Sequence, residues 1–223
     1  MPSEKSHPTN SSIEELLKQF SCGSSRKQRG LIKSVEARAE EIASLGKAAL
    51  DPFDPEGDSW PAGWILQVIK KDDSASLSEV VIENGGWFST PSLVGVDYGP
   101  LQEHLLSQNF EEADRFTSAT LRKLAGTEAE KRGYVYFSEV QSMSGVDLLT
   151  LDRLWVAYSQ ARFGFSIQKR LLSALNGRYE KLWPRIGWKH DGVWTRYPNA
   201  FTWSLAAPEG HMPLINQLRG VRL

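Results

Sequence analysis

The 223-residue sequence contains one cysteine and four histidines, which limits the chemistry that its side chains can carry. A single thiol, Cys22, cannot form a disulfide within the chain, and no set of cysteines is present to hold a metal ion. The histidines are scattered, and no two of them lie three or four residues apart, the spacing of a metal site on one helix. The sequence therefore predicts no metal site and an intracellular protein.

Long apolar runs and the motifs of common catalytic sites are also missing. No segment approaches the roughly 20 apolar residues that cross a bilayer. Residues 1–12 lack the apolar run of a signal peptide. There is no G-x-S-x-G elbow, P-loop or G-x-G-x-x-G fingerprint. Because no group of side chains indicates catalysis, we predict a binding protein with no catalytic residues rather than an enzyme.

Neither sign of charge is in large excess overall, but basic and acidic residues are unevenly distributed along the chain. The formal net charge is −1, which argues against a generally basic nucleic-acid binder. Residues 1–98 carry 10 basic and 15 acidic side chains, whereas residues 162–223 carry 10 basic and three acidic ones. Five of the eight tryptophans follow residue 150. The chain therefore ends in an aromatic, cationic third.

Helical signals dominate the first half of the chain. Ser12 and Glu15 form a capping box ahead of apolar residues at helical spacing, which predicts a helix from about residue 13. The same pattern continues from Leu31 to Leu45, and a third apolar segment follows a proline-rich break. Turn-forming residues cluster at 84–92. We therefore predict a small acidic helical bundle over residues 1–95 and a second domain over residues 96–223.

The second half is also predicted to be helical, so the expected fold class is all-α. Periodic apolar residues with capping signals predict helices within 97–126, 127–133, 151–158 and 166–177. Strand signals are scarce. The one hairpin candidate is the segment 188–194, which has Asp-Gly at its turn.

The aromatic, cationic third allows more than one interpretation. Aromatic rings interleaved with cations can stack the bases of single-stranded RNA and follow its phosphates. They can equally frame an apolar pocket whose rim holds the carboxylate arms of a large flat ring. In a third interpretation, the tryptophans fill the core and the arginines are solvated. The residues alone leave these alternatives open.

Seven ordered motifs over residues 96–223 resemble one known family. They are Tyr98-Gly-Pro-Leu-Gln102, Asn109-Phe-Glu-Glu-Ala-Asp114, Asp147-Leu148 with Asp152-Arg-Leu-Trp155, Phe163-Gly-Phe-Ser166 with Gln168, Ile186-Gly-Trp188, Ala207-Pro208 with Gly210-His211, and Asn216-Gln-Leu-Arg-Gly-Val-Arg222. The sequence is similar to the genomes-uncoupled-four regulators, which bind tetrapyrroles and stimulate magnesium chelatase. Many motifs at matching spacing make the resemblance specific.

The resemblance implies an all-helical core shaped like a cupped hand, with protoporphyrin IX or Mg-protoporphyrin IX bound in an apolar palm. The preceding bundle is similar to the one in cyanobacterial members. The implied partner is the large porphyrin-binding subunit of magnesium chelatase, which a monomeric protein of this family assists without inserting the metal itself. We expect a cytoplasmic location in a cyanobacterium, or the plastid stroma or thylakoid surface in an alga whose transit peptide has been removed. Membrane contact is left open, and no nucleic-acid partner is expected.

The resemblance also implies candidate porphyrin-binding residues. The resemblance implies propionate contact for Arg219 first, and then for Arg222 and Asn216. The two arginines lie three residues apart on a predicted helix and so share a face. Their forked guanidinium groups suit carboxylates better than lysine does. The expected palm residues are Phe137, Val140, Phe163, Tyr197 and Leu214.

Overall fold

The computed structural model describes residues 12–72 and 86–214. The regular structure in these ranges is helical apart from two strands of two residues each, which confirms the all-α class. The helices are α1 Ile13–Cys22, α2 Ser25–Glu36, α3 Ala39–Leu45, α4 Trp60–Asp72, α5 Gly99–Leu106, α6 Phe110–Ala125, α7 Thr127–Arg132, α8 Gly145–Tyr158, α9 Phe165–Ala174 and α10 Tyr179–Arg185. Two 3₁₀ helices span Gly46–Leu50 and Phe137–Ser142, and the strands are β1 Lys189–His190 and β2 Val193–Trp194.

Helix α1 begins where the capping box predicts. The Ser12 hydroxyl accepts a hydrogen bond from the Glu15 backbone N–H at 3.2 Å, which satisfies one of the free donors of the first turn. The buried face of α1 carries Leu16, Leu17 and Phe20. The Phe20 ring packs edge-on against Trp60 of α4 with ring centroids 5.4 Å apart. The first helix is therefore fixed both by its own cap and by packing on α4.

The apolar pattern from Leu31 to Leu45 forms two helices rather than one. Helix α2 ends at Glu36 and α3 begins at Ala39, while Arg38 leaves the helical conformation with φ −116°. The Arg38 side chain pairs with Glu41 in the first turn of α3. The helical period continues across this break, which is why spacing alone did not reveal it.

Helix α4 joins the first half of the chain to the second. It packs against α3, α5 and α8. A Cβ atom at Gly63 would lie 2.2 Å from the Ala157 carbonyl oxygen in α8, so the two backbones approach as closely as a glycine allows. The Gln67 amide donates to the carbonyls of Leu105 and Tyr158, both at 3.0 Å. One continuous core of buried residues includes side chains from both halves, and the boundary near residue 95 stays a prediction.

The predicted hairpin is confirmed. Lys189 pairs with Trp194 and His190 pairs with Val193 in an antiparallel ladder. Asp191 and Gly192 at the turn both have positive φ, 48° and 81°, as a two-residue type I′ turn requires. After Trp194 the chain runs back without further regular structure to Leu214. We call residues 195–214 the return segment.

Candidate functional site

A surface cavity of about 410 Å³ lies between the hairpin and the return segment. This volume falls within the about 300–1,000 Å³ of small-molecule sites. Its wall is mostly aromatic and contains Trp188, Trp194, Thr195, Arg196, Tyr197, Phe201 and Leu214. Trp188 and Leu214 are buried at the base, whereas Trp194 and Arg196 are exposed at the rim. The cavity therefore has an apolar floor and an open mouth.

The hairpin supplies one wall, and hydrogen bonds of Trp188 and Thr195 fix its shape. The Trp188 indole Nε1 donates to the His211 carbonyl at 2.8 Å. The Thr195 backbone N–H donates to the Trp188 carbonyl at 3.0 Å, which extends the ladder beyond Trp194. The Thr195 hydroxyl also donates to the Gly187 carbonyl at 2.9 Å. Contacts from both sides of the hairpin thus stabilise the wall that contains the two tryptophans.

The return segment supplies the opposite wall as a cluster of three rings. Tyr197 meets Phe201 and Trp203 edge-on, with centroids 5.7 Å and 5.8 Å apart, while Phe201 and Trp203 stack at 5.5 Å. The Trp203 indole donates to the Pro198 carbonyl at 3.1 Å. Such ring pairs add roughly 0.5–1.5 kcal/mol each beyond simple burial. The cluster is therefore ordered without a helix or strand.

His211 supports this ring cluster from behind. Its ring lies 4.8 Å from Phe201, between centroids. Its Nδ1 lies 2.6 Å from the Ile186 carbonyl, and its Nε2 accepts from the Thr202 backbone N–H at 3.3 Å. These partners require the neutral tautomer with its proton on Nδ1. Burial lowers the pKa of His211, although the hydrogen bond to Ile186 acts in the opposite direction. His211 is a structural residue and not a metal ligand candidate.

The end of the return segment is tied to two helices. The Gln168 amide of α9 donates to the carbonyls of Gly210 and Pro213, at 3.0 Å and 2.9 Å. The Leu214 backbone N–H donates to the Asp114 carboxylate of α6 at 2.6 Å. The position of Leu214 at the cavity floor therefore depends on its own contact with a residue 100 positions away and on the contact of its neighbour Pro213 with a residue 45 positions away.

A second apolar surface is presented by the Phe137–Ser142 3₁₀ helix. Phe137 is 79% exposed and Val140 is 40% exposed. Glu139 accepts from the Tyr136 backbone N–H at 2.7 Å and from Arg132 at 2.6 Å, and both contacts lower its pKa. This ion pair is only about one-fifth exposed on each side. Phe137 and Val140 are therefore exposed on a loop whose conformation is stabilised by the contacts of Glu139.

Arg132 also lies over two tyrosine rings of the same loop. Its guanidinium carbon is 4.8 Å from the Tyr134 centroid and 4.0 Å from the Tyr136 centroid. The two hydroxyls are 3.2 Å apart. Cation–π contacts of this kind add about 0.5–1 kcal/mol at exposed sites. We call Arg132 and Glu139 the loop clamp.

The structure brings two of the eight predicted site residues into one cavity. Tyr197 and Leu214 both line it, on the wall and the floor. Phe137 and Val140 do not line this cavity, although they are exposed as a ligand contact requires. The loop that carries them packs on α6, the helix that also anchors Leu214.

The other four predicted residues have different outcomes. Phe163 has no exposed surface and packs edge-on against Phe110 at 5.6 Å, so the structure places it in the core and not on a palm. Its burial follows from the contact between α6 and the loop before α9. Asn216, Arg219 and Arg222 lie outside the described residues, and their contacts stay predictions.

Sequence reasoning missed most of the cavity wall. The missed residues are Trp188, Trp194, Thr195, Arg196 and Phe201. Trp188 is buried, yet its ring also borders the cavity. The tryptophan excess and the Asp-Gly turn were usable signals for the hairpin wall. No local pattern marks Phe201, because long-range contacts alone bring it to the site.

Two kinds of feature are absent from residues 12–72 and 86–214. No group of His, Cys, Asp or Glu side chains there is arranged to hold a metal ion. No helix in those ranges is long and apolar enough to span a bilayer.

Comparisons with known proteins place the chain in a family. The model of the GUN4-like family matches residues 91–223, a range that includes the whole cavity. A Ycf53-like protein of Synechocystis sp. is 46% identical over 163 residues, which cover 72% of this chain and 70% of the relative. A chloroplastic tetrapyrrole-binding protein of Arabidopsis thaliana is 36% identical over 132 residues, covering 55% of this chain and 50% of that protein.

Solved structures agree with the sequence comparisons. The structure of GUN4 from Chlamydomonas reinhardtii is 42% identical and superposes with a TM-score of 0.55, covering 57% of this chain and 86% of that one. The family model matches more than half of the sequence, and the Synechocystis relative extends the similarity beyond it. The chain therefore belongs to the GUN4-like family.

Proposed function

We propose that this chain binds protoporphyrin IX and Mg-protoporphyrin IX in the cavity between the hairpin and the return segment, and that it stimulates magnesium chelatase without catalysing a reaction. Membership of the GUN4-like family and the tetrapyrrole-binding name of the Arabidopsis relative support a porphyrin-binding regulator.

The cavity itself carries the proposal. It combines an aromatic wall, a buried apolar floor and one rim arginine, which is what a flat apolar ring with carboxylate arms needs. Apolar contact contributes about 25 cal/mol per Å². Association costs roughly 4–15 kcal/mol, so ring contact alone gives modest affinity and the carboxylates must also be bound.

The open mouth suits a protein that hands its ligand on. Trp194 and Arg196 are exposed at the rim, while the rings below them are held by Trp188 and the His211 contacts. A ligand can therefore enter a preformed site and leave it without unfolding any helix. We propose that the receiving partner is the large porphyrin-binding subunit of magnesium chelatase, in a cyanobacterium or a plastid, with this chain acting as a monomer.

Residues beyond the cavity wall complete the proposed site. Phe137 and Val140 would contact the ring from their loop, and Asn216, Arg219 and Arg222 would contact the propionates. Arg222 follows Leu214 by eight residues, and an extended chain spans up to about 3.3–3.6 Å per residue. The three polar residues are thus within reach of the cavity mouth. Phe163 is not part of the proposed site, because it is fully buried.

Titration with protoporphyrin IX, followed by tryptophan fluorescence, tests binding. Trp188 and Trp194 border the cavity, so we expect saturable quenching at micromolar porphyrin. Tyr197→Ala removes a wall ring and should weaken binding by about tenfold, the effect of losing a contact worth about 1.4 kcal/mol. Tyr179→Ala is the matched control, because Tyr179 is exposed and does not line the cavity. Equal affinities for the two variants would contradict the assignment of the cavity.

Chelatase stimulation needs a separate assay. Purified chelatase subunits should insert magnesium faster in the presence of this chain, and Tyr197→Ala should lose most of that effect at limiting porphyrin. If the chain binds porphyrin but the rate of magnesium insertion does not change, the chain is a porphyrin carrier and not an activator of the chelatase.

A further inference from the structure

The cavity wall carries one charged side chain among its described residues, Arg196. Arg196 is the second residue after strand β2, between Thr195 and Tyr197, and its side chain is exposed at the rim. The fold therefore places a guanidinium group at the mouth of an otherwise uncharged site. Arginine is well suited to bind carboxylates, because its planar guanidinium group can donate two parallel hydrogen bonds.

Arg196 has no ion-pair partner in the part of the chain that the structure describes. Six basic side chains in those residues form ion pairs with carboxylates, and they are Arg38, Lys70, Arg115, Lys131, Arg132 and Arg170. Arg196 makes no such pair. An anionic ligand group would therefore not have to displace an internal carboxylate.

Lys189 does not line the cavity, but it places a second positive charge beside the rim residue Trp194. It stands opposite Trp194 in the hairpin ladder. Its Nζ lies 5.2 Å from the Trp194 ring centroid and 6.0 Å from that of Trp183, so two indole rings hold it in place. It too forms no ion pair with any carboxylate in residues 12–72 and 86–214. The hairpin side of the molecule therefore carries one cation at the cavity rim, Arg196, and a second one, Lys189, beside the rim residue Trp194.

We propose that Arg196 forms a carboxylate subsite at the rim of the cavity, with Lys189 supplying a second positive charge. The ligand class is a flat apolar molecule with carboxylate arms, and the inference rests on the proposed function because it assigns one polar contact of the same site. The subsite distinguishes anionic flat ligands from neutral ones. Arg196 would contact a carboxylate from the hairpin side of the mouth.

The test compares two ligands that differ only in charge. Protoporphyrin IX and its dimethyl ester are titrated, in the same detergent, into the full chain and into Arg196→Ala. We expect Arg196→Ala to weaken the diacid by about 5- to 10-fold, as expected for a lost charge-assisted hydrogen bond at a solvent-exposed rim. The dimethyl ester should bind both proteins equally. Arg196→Lys, which keeps the charge but loses the fork, should fall between them.

Arg185→Ala is the matched control. Arg185 is an exposed arginine of α10 that does not line the cavity, so its loss changes the net charge equally without touching the site. We expect it to bind both porphyrins like the unaltered chain. Raising the salt concentration should weaken diacid binding in the unaltered chain and have less effect in Arg196→Ala.

Three results would overturn the subsite. They are an unchanged diacid affinity in Arg196→Ala, an equal loss for diacid and ester, or an equal loss of diacid affinity in Arg185→Ala. If the unaltered chain bound neither porphyrin, the proposed function would fall and the subsite with it. Binding of both porphyrins, with no effect of Arg196, would remove the subsite alone.

Discussion

The first four helices and the return segment reach an ordered structure by different means. Residues 12–72 are regular helices whose apolar side chains are buried against α4. Residues 195–214 have no helix or strand, yet their rings are fixed by ring contacts and by hydrogen bonds from Gln168 and His211. In the described chain, the large hydrophobic side chains that remain exposed all follow residue 92.

This contrast indicates that the first four helices serve mainly as packed scaffold, whereas the second half of the chain carries the binding surface. The helical region buries its apolar surface and leaves none of its large hydrophobic side chains exposed, which is typical of a scaffold. The second half keeps large apolar side chains exposed, including Trp194 at the cavity and Phe137 on the second apolar surface, which is typical of binding surfaces. Order in the return segment comes from buried polar side chains in place of secondary structure. The ring geometry is therefore set before any ligand arrives.

The largest expected effect tests whether the helical region and α8 form one packed unit. Gly63→Ala places a Cβ 2.2 Å from the Ala157 carbonyl oxygen and forces α4 away from α8. We expect the free energy of unfolding to fall by about 3 kcal/mol, measured by urea denaturation. Gly30→Ala in α2 is the control, because its Cβ would meet no atom within 4 Å. That substitution should stabilise by roughly 0.5–1 kcal/mol. Equal effects would contradict the close approach.

The next effect tests how the return segment is held. His211→Ala removes a side chain that hydrogen-bonds Ile186 and Thr202 and packs on Phe201. We expect a loss of about 2–3 kcal/mol of stability and weaker porphyrin binding. His104→Ala, on the half-buried face of α5, should change stability by less than about 0.5 kcal/mol. A similar loss in both variants would show that His211 has no special role.

The same residue gives the return segment a pH dependence. Burial lowers the pKa of His211, so the unfolded chain binds a proton that the folded chain does not. The stabilisation is fully present above the unfolded pKa of about 6.5 and is lost as the pH falls below it. The drop in stability between about pH 7.5 and about pH 5.5 should be smaller in His211→Ala than in the unaltered chain. An identical drop would refute the assignment.

The smallest effect concerns the loop clamp on the second apolar surface. Glu139→Gln breaks the ion pair with Arg132 and weakens the contact with Tyr136, so Phe137 and Val140 lose a fixed position. We expect protoporphyrin IX to bind about two- to five-fold more weakly, as expected for a lost preorganising contact of under 1 kcal/mol. Glu130→Gln, an exposed residue of α7, is the control. If both variants bind like the unaltered chain, the loop is not part of the site.

Local signals account for the parts of the fold that could be predicted. The Ser12 cap and the Asp191-Gly192 turn each act within four residues, and both structures formed as predicted. The break at Arg38 was missed because the apolar period is continuous across it. In these cases the sequence pattern and the local backbone preference decide the outcome.

The cavity could be predicted only in part, since non-local contacts build it. The positions of Tyr197 and Leu214 depend on ring contacts and on the bond from Leu214 to Asp114, 100 residues away. Phe163 lies in the core because Phe110 packs against it, and nothing in its own neighbourhood indicates this. The family resemblance supplied candidate residues, but it did not indicate Arg196 or Phe201.

A crystal structure of this chain with bound Mg-protoporphyrin IX tests the central claim most directly. The account predicts the ring in the cavity, between the Trp188 and Trp194 wall and the Tyr197 and Phe201 wall, with a carboxylate at Arg196. A ring bound elsewhere, with this cavity still open to water, would contradict the account.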